Sequence, residues 1–126
     1  MSQEAPGIVV VEHRIDPVEL RRLVDLYFGD MVKIVVDVRR RVVAVGGELH
    51  ADAEQVLLAR SSAQPDLWGA NYYPGRGPDG CIEYTALINI RPSQGNRSME
   101  IHDSETRRAV REITHDLIGR GEEVPP

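Results

Sequence analysis

A stretch of strictly alternating polarity, Gly-Gly-Glu-Leu-His-Ala-Asp-Ala-Glu at residues 46–54, places the strongest constraint on how this chain folds. Successive side chains of a β-strand point to opposite faces, so the spacing predicts a strand that continues to about residue 58. In a helix the same polar side chains would scatter around the axis, at about 100° per residue. The glycine pair at the start predicts a bulge or a close backbone approach. The strand would present four polar side chains on one face: Glu48, His50, Asp52 and Glu54.

Composition restricts the class of protein. The 126 residues fit a single domain over 1–126, which we expect to be ordered over about 8–119. A net charge of −5 argues against a general nucleic-acid binder, since such proteins normally carry a basic stripe. Cys81 is the only cysteine, which excludes an intrachain disulfide. No leader and no apolar run of about 20 residues occurs, so we expect a cytoplasmic protein without a membrane segment.

Two amphipathic helices are predicted near the two ends of the chain. Asp16 is placed as an N-cap and Pro17 suits a first helical position, which predicts a helix over 17–28. Asp103 or Ser104 caps a final helix that ends at residue 119. Apolar residues recur in both segments at the spacing of one helical face.

Strands are predicted between these helices. Valine and isoleucine dominate residues 31–45 and favour strands over 31–38 and 42–46, although a helical seam in the same stretch stays open. The turn at 39–41 lacks glycine, and Asp37 with the three arginines is interpreted as a solvated tip. A short edge strand at 8–11 and strands at 67–73 and 81–91 complete the set, with loops at 59–66, 74–80 and 92–98.

The fold class that follows is α+β. We expect an antiparallel sheet of about four strands in a meander, with two helices packed on its apolar face. Alternation within the strands places three aromatic residues on that apolar face: Trp68, Tyr72 and Tyr84.

The opposite face of this sheet is the predicted site. If the strands pair in sequence order, carboxylates, an imidazole, amides and a guanidinium meet there, a combination found in binding pockets. The alternative is a face that simply stays in water. A covered face would require its charges to pair, Arg91 with Glu83 or Arg97 with Glu54. The predicted ligand-binding residues are His50, Asp52, Glu54, Asn71, Tyr73, Glu83, Asn89, Arg91, Asn96 and Arg97.

A divalent metal is a second hypothesis for this face. His50, Asp52 and Glu54 offer one nitrogen and two oxygen ligands, which suits zinc, manganese or iron, with Glu83 as a candidate general base. Alternate residues of a strand lie about 6–7 Å apart at Cα, so convergence on one ion requires a bend or a ligand from another strand. Nucleophilic catalysis is disfavoured, because Ser98 lies in a loop without a Gly-x-Ser-x-Gly elbow.

Three functional classes therefore remain. The first is a binding module that holds a small polar ligand or a partner chain on the polar face. The second is a metal-dependent hydrolase or lyase that uses His50, Asp52 and Glu54. The third is a structural or interaction protein that forms a homodimer.

Several longer motifs resemble those of a small prokaryotic family known only as a domain of unknown function. They are GGELHADAE at 46–54, LWG at 67–69, IEYT at 82–85 and NIRPSQGNRSMEI at 89–101. The match runs from about residue 8 to residue 118. The resemblance implies a single-domain cytoplasmic protein and carries over no catalytic residues.

Overall fold

Antiparallel strands and surrounding helices build the structure, a computed structural model that describes residues 7–125. The strands are Ile8–Val11 (β1), Val32–Asp37 (β2), Val42–Gly46 (β3), Leu67–Tyr72 (β4) and Ile82–Glu83 (β5). The helices are Pro17–Tyr27 (α1), His50–Ala59 (α2), Gly77–Gly80 (α3) and Ser104–Leu117 (α4). Short 3-10 turns occupy Gln64–Asp66, Leu87–Asn89 and Pro92–Gln94. The α+β class with an antiparallel sheet is confirmed, but the described sheet has five strands instead of about four.

Both terminal helices begin where their capping residues predict. The Asp16 carboxylate accepts the N–H of Val18 at 2.7 Å and starts α1. The Asp103 carboxylate accepts the N–H of Thr106 at 2.9 Å and starts α4. These bonds satisfy N–H groups that a helix leaves without an internal partner.

Residues 31–45, for which both a helix and two strands were considered, form the hairpin of β2 and β3. Arg41 adopts a φ of +57°, so it takes the left-handed position that glycine would normally fill in the turn. Placing Asp37 in a solvated tip was wrong, because the residue is fully buried. Its carboxylate accepts the N–H groups of Arg39 at 3.0 Å and Arg40 at 2.9 Å, and the Ser62 hydroxyl at 2.7 Å. The buried acid therefore holds the turn closed.

The predicted strand over residues 48–58 was wrong, because α2 occupies this stretch from His50. Alanine, leucine, glutamate and glutamine are good helix formers, and the apolar residues Ala53, Val56 and Leu57 follow the spacing of one helical face. Gly46 and Gly47 have φ values of +111° and +92°, so the chain leaves β3 through a turn that disfavours other residues. The alternation of polar and apolar residues at 48–54 therefore does not indicate a strand in this protein.

The order of strands in the sheet is β1-β3-β2-β4-β5, which is not the predicted meander. The connection through α1 leads from β1 to β2 and the connection through α2 leads from β3 to β4, and each skips one strand in the same direction. Because β1 and β3 are antiparallel, right-handed crossovers require α1 and α2 to lie on opposite faces of the sheet.

Two buried clusters agree with this arrangement. One joins residues of α1 and α4, such as Leu23 and Ile113, to sheet residues such as Ile34. The other joins α2 residues such as Leu57 to the alternate sheet residues, such as Val35. The face that was expected to be polar and open is therefore partly covered by α2. No helix within residues 7–125 is long and apolar enough to cross a membrane.

The predicted strand over 81–91 was also wrong beyond Glu83, because side chains replace it along the edge of β4. The Gly69 N–H donates to Asn89 Oδ1 at 2.8 Å, and Asn89 Nδ2 donates to the Gly69 carbonyl at 2.9 Å. Further along, the Arg91 guanidinium donates to the Leu67 carbonyl. A Cβ at Gly69 would lie 2.5 Å from the Cβ of Ala86, so glycine permits this close approach. The edge is thus closed by an amide and a guanidinium.

Asn96 fixes the loop that carries these two side chains. Its Nδ2 lies 2.8 Å from the carbonyl oxygen of Asn89, 3.0 Å from that of Ser98 and 2.8 Å from that of Glu100. Its Oδ1 accepts the N–H of His102 at 2.9 Å. One buried side chain therefore satisfies several backbone groups of a loop that has little regular structure.

We predict that Asn89→Leu destabilises the protein by about 2–5 kcal/mol, because it leaves the buried N–H and C=O of Gly69 without partners. Urea unfolding followed by the fluorescence of Trp68, which is 6% exposed, measures the change. Gln94→Leu is the matched control, because it removes an exposed amide from the same loop and should cost below about 1 kcal/mol. Equal losses for the two variants would contradict the role assigned to Asn89.

Candidate functional site

A groove of about 430 Å³ lies where α2 begins above the sheet, next to β5. We call its polar residues the polar floor: Lys33, His50, Asn71, Glu83 and Thr85. We call its larger apolar residues the apolar rim: Leu49, Leu87, Ile88 and Met99. The groove combines a mainly apolar wall with a few polar groups, which is the usual composition of a small-molecule site.

Sheet register builds most of the polar floor. Lys33 on β2 lies opposite Asn71 on β4, and Asn71 lies opposite Glu83 on β5. Residues paired in this way project from the same face and lie close enough to interact. A single row across three strands therefore brings together a cation, an amide and a carboxylate.

Asn71 has one satisfied and one unsatisfied side-chain group. Its Nδ2 donates to Glu83 Oε1 at 2.7 Å, and the Tyr73 hydroxyl donates to the same oxygen at 3.2 Å. Asn71 is only 8% exposed, and its Oδ1 is buried without a hydrogen-bond partner. An unpaired buried acceptor costs about 1–3 kcal/mol, which a group that donates to this oxygen would remove. Glu54 Oε2, Arg91 Nη1 and Thr114 Oγ1 are also buried without a hydrogen-bond partner, but these residues do not line the groove.

His50 enters the groove from the first turn of α2. Its Nε2 lies 2.9 Å from the Ala70 carbonyl oxygen, which only accepts, so Nε2 carries the proton and Nδ1 is an acceptor. Burial lowers the pKa of His50 below its ordinary value of 6.5 and Lys33 lowers it further, while the Ala70 carbonyl and the Asn71 side chain raise it. The imidazole is therefore neutral at pH 7, and the formal charges of the polar floor are those of Lys33 and Glu83.

The structure brings four of the predicted ligand residues together: His50, Asn71, Tyr73 and Glu83. Asn89, Arg91 and Asn96 instead hold the edge of β4 and the following loop, as described above. Asp52 and Arg97 are exposed and do not line the groove.

Glu54 forms an ion pair with Arg91. This pair differs from both predicted pairs, which joined Arg91 to Glu83 and Arg97 to Glu54. Arg91 Nη2 lies 3.7 Å from Glu54 Oε2, and the two side chains are 6% and 12% exposed. The guanidinium also stacks over the Trp68 ring, 4.6 Å from its centroid. Burial lowers the pKa of Arg91 and the Glu54 carboxylate partly offsets this effect. The charged residues of this pair serve to join α2 to the loop.

The strand geometry that suggested a metal site is absent. On α2, His50 and Asp52 are separated by about 200° around the helix axis. His50 bonds to Ala70, Asp52 is exposed, and Glu54 faces Arg91. Among residues 7–125, no group of three or more His, Cys, Asp or Glu is arranged to hold a metal ion.

Two nucleophile–histidine pairs lie outside the groove. Ser98 Oγ is 2.7 Å from His102 Nε2 and also accepts the N–H of Glu100 at 3.2 Å. Cys81 Sγ is 3.9 Å from His115 Nε2, but the residue is fully buried and its burial raises the pKa of the thiol. A buried neutral thiol is unreactive, so this second pair is structural.

Sequence reasoning missed Lys33 and the apolar rim, although it placed Thr85 on the same face as Glu83. Lys33 stands two residues before Val35 in β2, and this spacing is a readable signal that both side chains face the same way. The signal was of no use without the strand order, because only the pairing of β2 with β4 places Lys33 beside Asn71.

The lowered pKa of His50 makes a prediction about stability and pH. The unfolded chain binds more protons than the folded one once the pH falls below about 6.5, so the free energy of unfolding should decrease on acidification. Urea unfolding between about pH 7.5 and pH 5 measures the slope, which His50→Gln should reduce. His13→Gln alters an exposed histidine and should keep the wild-type profile. An unchanged slope in His50→Gln would contradict the buried, neutral state of His50.

Comparison with known proteins identifies a family to which the chain belongs. Neither a curated protein nor a solved structure matches the chain. A family model described as "Protein of unknown function (DUF5674)" matches residues 9–117, which is most of the chain. The resemblance to a family of unknown function is thereby confirmed, and the chain belongs to the DUF5674 family.

Proposed function

We propose that the protein is a binding module whose groove holds a small, uncharged ligand with a hydrogen-bond donor at one end and a branched apolar group at the other. The observation that carries this proposal is the buried, unpaired Oδ1 of Asn71 in the polar floor. A ligand N–H or O–H directed at this oxygen removes the cost of the unsatisfied acceptor.

Charge favours an uncharged ligand. Lys33 and Glu83 carry opposite charges, and the imidazole of His50 is neutral, so the polar floor has no net charge. A strongly anionic or cationic ligand would gain from one of these charges and be repelled by the other. An amide or an alcohol loses less hydration on entry than an ion does.

The apolar rim favours a ligand with a hydrocarbon part. Leu49 is 58% exposed, Leu87 is 70% exposed and Met99 is 39% exposed. Covering such side chains contributes roughly 25 cal/mol per Å² of apolar surface removed from water. Binding therefore combines one directed hydrogen bond with non-directional apolar contact.

We predict that isovaleramide binds and that 4-methyl-2-pentanone, which replaces its NH₂ by CH₃, binds about tenfold more weakly. The difference is the hydrogen bond that the amide donates to Asn71 Oδ1, worth about 1.4 kcal/mol. Chemical-shift titration of ¹⁵N-labelled protein gives both affinities and shows whether the Asn71 side-chain amide responds. Isovalerate, the matched carboxylate, should bind more weakly than the amide.

Two variants test whether the preference for the amide over the ketone depends on Asn71. Asn71→Leu should abolish the preference for the amide over the ketone, whereas Gln55→Leu, the same type of change at an exposed position of α2, should leave it intact. Equal affinity of wild-type protein for amide and ketone would refute the proposal even if Asn71→Leu fails to fold. Binding with shifts confined to residues outside the groove would refute it as well.

A homodimer is the second candidate, and it is favoured by the clustering of exposed apolar side chains on the rim. If two copies pack through this surface, Leu87→Asp should shift the sedimentation coefficient to that of a folded monomer. Leu26→Asp is a matched control, because Leu26 is 51% exposed on α1 and does not line the groove. A wild-type protein that sediments as a monomer at about 100 μM would exclude this candidate.

A further inference from the structure

A second groove, of about 370 Å³, runs between α4 and residues 78–84, and we call it the arginine groove. Four residues of α4 line it at spacings of three, four and seven, so they share one face of the helix: Ser104, Arg107, Arg108 and Arg111. Opposite them lie Asp79 and Tyr84. Neither the proposed function nor the family assigns a role to this surface.

Arg107 is held in a fixed orientation without a carboxylate. Its guanidinium stacks on the Tyr84 ring, 4.1 Å from the ring centroid, and Nη1 donates to the Ile101 carbonyl at 3.1 Å. The two contacts leave further N–H groups of the planar fork available. A pre-oriented guanidinium loses little freedom when it binds, which is why arginine suits the recognition of phosphate oxygens.

The other two arginines are available to a ligand. Arg108 is exposed, and no carboxylate in the described part of the chain forms an ion pair with it. Arg111 Nη2 lies 3.2 Å from Asp79 Oδ1, but the Asp79 side chain is 93% exposed. Exposed ion pairs contribute little, so a stronger anion can displace Asp79.

The arginine groove carries an excess of positive charge. Three arginines face one carboxylate in this groove, although the whole chain has a net charge of −5. A neighbouring groove shares Arg108 and Arg111 and is lined by two further arginines, Arg41 and Arg120, together with Glu112 and Asp116. The net negative charge of the whole chain repels a long polyanion, whereas a compact anion fits among the three arginines of the arginine groove.

We propose that the arginine groove binds the phosphate or diphosphate group of a small molecule. Arg107 and Arg108 donate to the phosphate oxygens, and Arg111 exchanges its contact with Asp79 for one with the ligand.

Inorganic pyrophosphate is the probe, and calorimetry at an ionic strength of about 20 mM measures its affinity, because screening weakens such contacts at higher salt. We expect pyrophosphate to bind more tightly than phosphate. Arg108→Gln should weaken binding about tenfold, since it removes a charge-assisted hydrogen bond. Arg97→Gln removes an exposed arginine outside the groove and should change the affinity less than twofold.

Asp79→Asn provides the opposite test. The substitution removes the carboxylate that competes for Arg111 and leaves all three arginines unchanged, so pyrophosphate should bind several-fold more tightly. Three results would overturn the proposal: no heat with wild-type protein, equal losses in Arg108→Gln and Arg97→Gln, or unchanged affinity in Asp79→Asn. Tighter binding of a hexaglutamate peptide or of a short RNA than of pyrophosphate would overturn the assigned ligand class.

Discussion

The pairing of the Asn89 carboxamide with both backbone groups of Gly69 is the interaction on which the rest of the structure depends. β5 covers only the last residues of β4, so the remaining edge of β4 would expose unpaired N–H and C=O groups. The amide of Asn89 satisfies one donor and one acceptor there, in the way a neighbouring strand would. Because the amide replaces a strand, the segment after β5 is free to fold as a 3-10 turn and to form a wall of the groove.

The same arrangement explains why so many polar residues of this segment are unavailable to a ligand. Asn96 organises the loop, and Arg91 ties it to β4 and to Glu54 on α2. Burying both charges of such an ion pair carries a desolvation penalty. Removing one partner destabilises the fold by more than the pair itself contributes, because the other charge is then buried without compensation. Residue types typical of binding sites thus serve here to complete the backbone hydrogen bonds of an irregular segment.

Local signals predicted the elements whose causes are local. The caps at Asp16 and Asp103 and the apolar stripes behind them were sufficient for α1 and α4. The stretch at 48–58 failed, because a run of seven alternating residues fits a strand and also conceals the helical spacing of Ala53, Val56 and Leu57. The prediction of a strand over 81–91 was wrong for a different reason. The side chains of Asn89 and Arg91 pair with the edge of β4 there, and a contact of this kind leaves no periodic pattern in the sequence.

By itself, the sequence determined an α+β class with an antiparallel sheet and some of the polar residues that line the candidate groove, because capping, helical periodicity and β-branching act over a few residues. Only the tertiary structure decided which of those residues meet. The two crossovers, each skipping a strand in the same direction, place α2 on the face expected to be open and bring His50 above Ala70. The register of β2, β4 and β5 then aligns Lys33, Asn71 and Glu83. Strand order and register are set by packing between distant segments, so no local pattern of residues specifies them.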